Sequence, residues 1–311
     1  MHVDLLIVLG AAIVGLLVGM TGAGGGALMT PMLILLFSVK PSTAISSDLV
    51  AAVLMRPIGA AVHMRAGTVN YRLVRWMVLG SVPAAFAGAW MLKLLGNSKG
   101  AQSNVERVLG AALLIGACAM ALRFLLDRRG GNARMGSVAS VQVRPLPTLV
   151  VGIVGGLVVG MTSVGSGSLM IVFLLFLYPS LSAKRLVGTD LTQAVPLTLA
   201  AALGALVFGH VSFGLTLSLI LGSVPAVFVG SLLSSRVPDR FIRPVIGVVI
   251  MASGLKYIGA STSTIGWAAL IAAAVVVGYW LVSARPASRA AARSARGGAS
   301  EGIAVAVPSS E

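Results

Sequence analysis

The chain has 311 residues, of which 57% are hydrophobic and 10% charged, with a formal net charge of +15. Soluble domains run at roughly 45–50% apolar and about 25% charged, so a soluble enzyme or binding module is excluded. The positive excess does not point to nucleic acid: the basic residues lie between apolar runs and in the tail, where charge sets membrane topology.

Leu5 to Val39, Pro145 to Ala183 and Leu191 to Ser235 contain no Asp, Glu, Lys or Arg. Each exceeds the roughly 20 apolar residues that cross a bilayer, so several hold more than one segment. The composition therefore predicts an all-α polytopic membrane protein. The first apolar run lacks a basic leader (Met1-His2-Val3-Asp4) and is read as retained structure rather than a signal peptide.

In chain order, apolar blocks fall at about 4–37, 42–63, 73–95 and 104–126, then at 146–178, 185–208, 212–234 and 240–258. A last block at 264–284 has no earlier counterpart. Gly19 to Met29 (GMTGAGGGALM) reads almost like Gly160 to Met170 (GMTSVGSGSLM), identical at 7 of 11 positions. Leu79 to Ala84 recurs unchanged as Leu221 to Ala226, and Asp48-Leu49 recurs as Asp190-Leu191. The chain is thus two copies of one plan. The expected organisation is a first repeat (1–126), a basic cytoplasmic linker (127–145), a second repeat (146–258), an extra transmembrane helix (259–284) and a disordered cytoplasmic tail (285–311).

The glycine cluster interrupts the leading block of each repeat. If that block crosses once, Lys and Arg divide 9 against 13 between the two sides. If it enters and returns as a broken, re-entrant hairpin, one side holds Lys40, Lys93, Lys99, Arg107 and Lys256. The other then holds 17 of the 23 basic residues, with Arg56 left inside the membrane. The positive-inside rule prefers the second arrangement. It leaves an odd number of full crossings per half, so the repeats are inverted, with the N-terminus periplasmic and the C-terminus cytoplasmic. Inverted repeats with discontinuous leading helices are the pattern of secondary transporters.

Non-helical backbone in a membrane is tolerated only where protein buries it or a cavity needs it. A half-helix is expected to begin after each cluster, near Ala27 and Ser168, offering unpaired N–H groups to an anion, with Thr21, Thr30, Thr162, Ser163, Ser166 and Ser168 adding hydroxyl donors. The expected substrate-binding set is Thr21, Gly22, Gly24, Gly25 and Gly26 with Thr162, Ser163, Gly165, Ser166, Gly167 and Ser168. Simple close packing of small residues is the competing account. The spacing of Gly22 and Gly24 to Asp48 mimics a dinucleotide fingerprint, but the flanks are membrane spans rather than a βαβ unit.

Asp48 and Asp190 place carboxylates at matching positions inside apolar blocks, where ionisable groups are costly and functional by default. Each could carry a coupled proton, shape the loops, or cap its helix. Arg56 has Thr198 at the matching position and could pair with Asp48 or meet an anionic substrate. Gln193 could face the same cavity as Asp190. His63 and His210 read as interfacial, Cys118 as a buried small hydrophobe, and Pro83 and Pro225 as matched helix kinks. No residue set suggests a cofactor, a metal or an enzyme active site. The expected partners are a small anionic substrate and the lipid bilayer, with no nucleic acid; a homo-oligomer stays open.

Taken together, Gly15 to Gly26, Ser46-Ser47-Asp48-Leu49 and the Leu-Gly-Ser-Val-Pro helix, in half-repeated order over residues 4–258, resemble the sulfite exporter TauE/SafE family (the toluene-sulfonate uptake permease group) of bacterial inner-membrane proteins. The resemblance implies an inner-membrane transporter of sulfite, sulfonates or other organosulfur anions. A passive anion channel built on the same loops is the alternative. Substrate, direction and coupling ion are not encoded in any motif.

Overall fold

The computed structural model describes residues 3–21, 25–96, 101–129, 142–165, 167, 169–179, 181, 183–233 and 239–284. Most of the linker at 127–145 and the tail at 285–311 lie outside them. Among the described residues the chain is all helical, with eleven helices. They are α1 (Leu5–Thr21), α2 (Gly26–Phe37), α3 (Pro41–Arg65), α4 (Tyr71–Gly96), α5 (Ala101–Arg129), α6 (Pro145–Thr162), α7 (Leu169–Leu177), α8 (Ala183–Phe208), α9 (Phe213–Leu233), α10 (Asp239–Tyr257) and α11 (Thr262–Ala284). Six of them, α3, α4, α5, α6, α8 and α9, contain a segment long and apolar enough to cross a membrane. The half-helices expected near Ala27 and Ser168 begin one residue away, at Gly26 and Leu169.

The boundaries follow local chemistry. Pro41 and Pro145 open α3 and α6, where a missing N–H removes no helical bond. Ser38 closes α2 in the left-handed conformation, its N–H bonded to the Leu33 carbonyl. Gly67, at φ 65°, turns the chain after α3.

Residues 1–265 form one compact unit. Its packing is reciprocal: α1 lies against α9, and their counterparts α6 and α4 lie against each other. Both pairs run parallel, since Val8 and Leu16 meet Gly222 and Gly230 while Leu149 and Leu157 meet Gly80 and Gly88. The approach requires glycine. A β-carbon at Gly15 would stand 2.7 Å from the Ser223 carbonyl oxygen, and the matching Gly156 is pressed against the Ser81 carbonyl. Such small-residue contacts let helices pack in lipid, where the hydrophobic effect does not drive them together.

Helices paired with their own counterparts run the other way. The Ser212 N–H donates to Ser47 Oγ at 3.2 Å, and the Asn70 N–H donates to Thr189 Oγ1 at 3.1 Å. Those two bonds are one bond written twice, because Ser47 matches Thr189 and Asn70 matches Ser212. They put the start of each of α3 and α8 beside the end of the other, so the two helices are antiparallel. Gly110 against Gly254 and Gly247 against Met120 make α5 and α10 antiparallel as well.

The chain doubles back after α1 and after α6. Phe37, at the end of α2, lies beside Gly10 near the start of α1. The Tyr178 hydroxyl, just past α7, meets Thr148 Oγ1 at 2.6 Å and accepts from the Arg144 N–H at 2.8 Å. Each hairpin buries its returning arm in a separate apolar core: Met29 and Leu33 in one, the matching Met170 and Leu174 in the other.

The outside is greasy and the middle is polar. Leu6, Ile13, Leu203, Leu206, Val207, Leu221 and Phe228 are exposed. Ser46, Ser47, Asp48, Ser81, Thr189, Asp190 and Gln193 are wholly buried. That inversion fits a multi-pass membrane protein, where lipid replaces water outside and polar groups must satisfy one another within.

The second unit, residues 266–311, is described through its part of α11 only. This helix stands where the extra C-terminal block at 264–284 was expected, and its described turns are apolar.

Candidate functional site

The buried polar groups gather where the long helices α3, α4 and α8 meet the two hairpins. Asp48 is the joint. The Thr30 hydroxyl, from α2, donates to Asp48 Oδ2 at 2.9 Å, and the Ser163 hydroxyl, from the α6–α7 connection, donates to the same oxygen at 2.8 Å. One carboxylate oxygen of the first half therefore ties both hairpins together. Asp48 Oδ1 is buried without a hydrogen-bond partner.

The two glycine connections touch. Gly26 packs on the backbone of Ser163, and a β-carbon there would overlap the Ser163 carbonyl group. Ser163 caps α6 at φ 60°, a left-handed conformation that costs a non-glycine residue about 1–2 kcal/mol. Its matching residue in the first half is Gly22. The bond to Asp48 and the Ser163 N–H bond to the Val159 carbonyl, at 2.7 Å, hold it there.

On the other side, the Gln193 amide donates to Asp190 Oδ1 at 3.2 Å, and its oxygen accepts from the Ser81 hydroxyl at 3.1 Å. Asp190 is thereby tied to α4 through Gln193, so Gln193 does share its environment. Arg56 lies on α3 two turns past Asp48 and is 6% exposed. Its Nε and Nη1 lack hydrogen-bond partners.

The other expected loop residues divide as follows. Thr21 Oγ1 donates to the Leu17 carbonyl at 2.7 Å; Thr162 Oγ1 donates to the Val158 carbonyl at 2.6 Å and accepts from the Val164 N–H at 3.1 Å, which ties the end of α6 to the connection. Gly25 precedes α2 against Met55, and its carbonyl accepts from the Met29 N–H at 2.8 Å. Gly165 and Gly167 take φ values of 125° and 95° that favour glycine. Gly22, Gly24, Ser166 and Ser168 lie outside the described residues. Asp48 and Asp190 sit too far inside α3 and α8 to cap them. His63 Nδ1 bonds Thr68 Oγ1 at 3.1 Å at the turn after α3. Cys118 is exposed rather than buried.

Thr30, expected as one of the hydroxyl donors beside the glycine connection, does reach the centre, through Asp48. Ser81 carried no signal that sequence reasoning used, although its place in the recurring Leu-Gly-Ser-Val-Pro segment was an available cue.

Residues 7–257 match the family model described as sulfite exporter TauE/SafE. A Bacillus subtilis (strain 168) protein named "probable membrane transporter protein YjnA" is 38% identical over 253 residues, covering 81% of this chain and 98% of that protein. Two further proteins of that strain, each also named a probable membrane transporter protein, are similar: YdhB at 23% over 254 residues (81% of this chain, 98% of YdhB) and YunE at 26% over 273 residues (82% and 96%). No solved structure gives a significant match. The match spans both hairpins and the buried centre, and the chain belongs to the sulfite exporter TauE/SafE family of membrane proteins.

Proposed function

We propose that the protein is a secondary transporter that carries a small sulfur oxyanion, sulfite or a sulfonate, across the bacterial inner membrane by alternating access. The observation that carries this is the convergence of Thr30 and Ser163 on Asp48 Oδ2. A buried carboxylate that clasps both hairpins is placed to change its bonds when a proton or an anion arrives. Loss of either hydroxyl bond frees one hairpin to move relative to α3.

The helix directions support inverted repeats. Antiparallel α3 and α8, and antiparallel α5 and α10, follow if the two halves are related by an axis in the membrane plane. A leading block that crossed once would give each half four crossings and make those pairs parallel. The returns of Phe37 to Gly10 and of Tyr178 to Arg144 support re-entrant hairpins. With the positive-inside distribution, the N-terminus is then periplasmic and the C-terminus cytoplasmic.

The test is flux in proteoliposomes containing the full chain. Sulfite or methanesulfonate should accumulate against its gradient when an opposing ion gradient is imposed, and accumulation should collapse when that gradient is dissipated. Flux that only equilibrates the anion, with no response to any ion gradient, would identify a passive channel instead.

A further inference from the structure

The polar centre contains a cation that its own helices leave incomplete. Arg56 is 94% buried by the 6% exposure above, and its Nε and Nη1 donors have no acceptor. Asp48 lies two turns earlier on the same helix, and neither it nor Asp190 supplies those two hydrogen bonds. A buried guanidinium with idle donors is a costly arrangement, and a ligand that brings oxygen acceptors removes the cost. Arginine, unlike lysine, presents its donors in a rigid plane suited to oxyanions.

We infer that Arg56 is the residue that receives the charged head of the substrate, and that the second half has no equivalent receptor. This rests on the transport of a sulfur oxyanion proposed above. Thr198 stands at the matching place on α8, and its hydroxyl is already engaged with the Ala194 carbonyl at 2.6 Å. The receptor therefore lies off the symmetry of the fold, on α3, one residue before Pro57. That proline has no N–H, so the Val53 carbonyl one turn earlier lacks its helical donor and the helix can flex beside the site. An oxyanion such as sulfite or a sulfonate brings two oxygens spaced to accept parallel bonds from one edge of the guanidinium, a match that a single chloride ion does not offer.

The experiment is anion-dependent thermal stabilisation of the purified full chain, titrated with sulfite, methanesulfonate and chloride, for wild type, R56K, R56Q and T198V. Wild type and T198V should be stabilised with the same midpoint by at least one sulfur oxyanion. R56K should need at least tenfold more of it, and R56Q should show no shift. Folded R56K and R56Q with wild-type midpoints would overturn the inference while leaving the transport assignment standing. If both variants fail to fold, the wild type decides by competition: chloride displacing the oxyanion at equal concentration overturns the inference, and indifference to chloride supports it. A wild type stabilised by no sulfur oxyanion overturns the transport assignment and this inference together.

Discussion

Gly26→Ala is the sharpest perturbation the fold offers. The added β-carbon would occupy the space of the Ser163 carbonyl, with Ser163 Oγ only 2.7 Å away. Backbone cannot swing aside as a long side chain can, so the two hairpin connections must separate. Overpacking of a tight core costs about 1–3 kcal/mol. Separation also stretches the Ser163 bond to Asp48, and a hydrogen bond to a charged group is worth about 1.5–3 kcal/mol. The two together give a loss of about 2.5–6 kcal/mol, a large part of a typical stability margin of roughly 5–15 kcal/mol. The assay is thermal unfolding of detergent-purified protein, with Gly266→Ala as control. A β-carbon at Gly266 meets nothing within 4 Å, and alanine in a helix is favoured over glycine by about 1 kcal/mol. Gly266→Ala should therefore melt at or slightly above wild type, and Gly26→Ala well below. Equal melting of Gly26→Ala and wild type would mean that the connections do not touch.

Other substitutions probe the same centre. Asp48→Asn keeps an oxygen for Thr30 and Ser163 but removes the charge, so it should insert normally and lose most transport; wild-type flux would remove Asp48 from the mechanism. Asp48→Ala leaves both hydroxyls without their acceptor and should in addition lower stability by about 2–4 kcal/mol by melting. Ser47→Ala and Thr189→Val break reciprocal bonds and should each cost about 1 kcal/mol; as the sites are remote, the double variant should show nearly the sum, and strong non-additivity would refute their independence. In a Cys118→Ser background, Lys40→Cys should be labelled from the periplasm and Gln142→Cys from the cytoplasm, by impermeant maleimide; the opposite pattern would invert the proposed topology.

Much of the fold was legible because membranes restrict the choices. Uncharged runs located the helices, and the recurrence of Gly-Met-Thr and of Leu-Gly-Ser-Val-Pro located the repeat. Those glycines now have a cause: Gly80, Gly88, Gly222 and Gly230 let parallel helices touch. The glycine clusters drew attention to the hairpin connections, but hydroxyl content alone could not say where each hydroxyl would bond. Thr21 and Thr162 donate to carbonyls one turn back, the local competition open to any helical threonine, and Thr162 also accepts from the Val164 N–H, whereas Ser163 reaches across to Asp48. Thr30 was legible as a hydroxyl donor, but its partner was not: the bond to Asp48 depends on α2 folding back past α3, a tertiary fact with no periodicity. Cys118 shows the same limit from the other side, since apolar surroundings in sequence do not distinguish a lipid-facing position from a buried one.

The backbone is duplicated more faithfully than its polar centre, and this determines how many substrates one chain can hold. The packing bonds survive in both halves: Ser47 and Thr189, Asn70 and Ser212 make matching contacts. Four side chains of the centre have lost their counterparts, and Ser81 keeps one, Ser223, whose hydroxyl bonds the Leu219 carbonyl instead. Thr30 is matched by Ile171, Ser163 by Gly22, Gln193 by Ala51 and Arg56 by Thr198. A symmetric carboxylate pair has thus been dressed differently, Asp48 with the two hairpins and Asp190 with α4 through Gln193. Two equivalent anion sites cannot be built from inequivalent donors. Calorimetric titration of a sulfur oxyanion into purified protein should accordingly give one anion per chain. A stoichiometry of two with equal affinity would show that the glycine connections, the parts the halves share most closely, bind the anion without help from the divergent side chains.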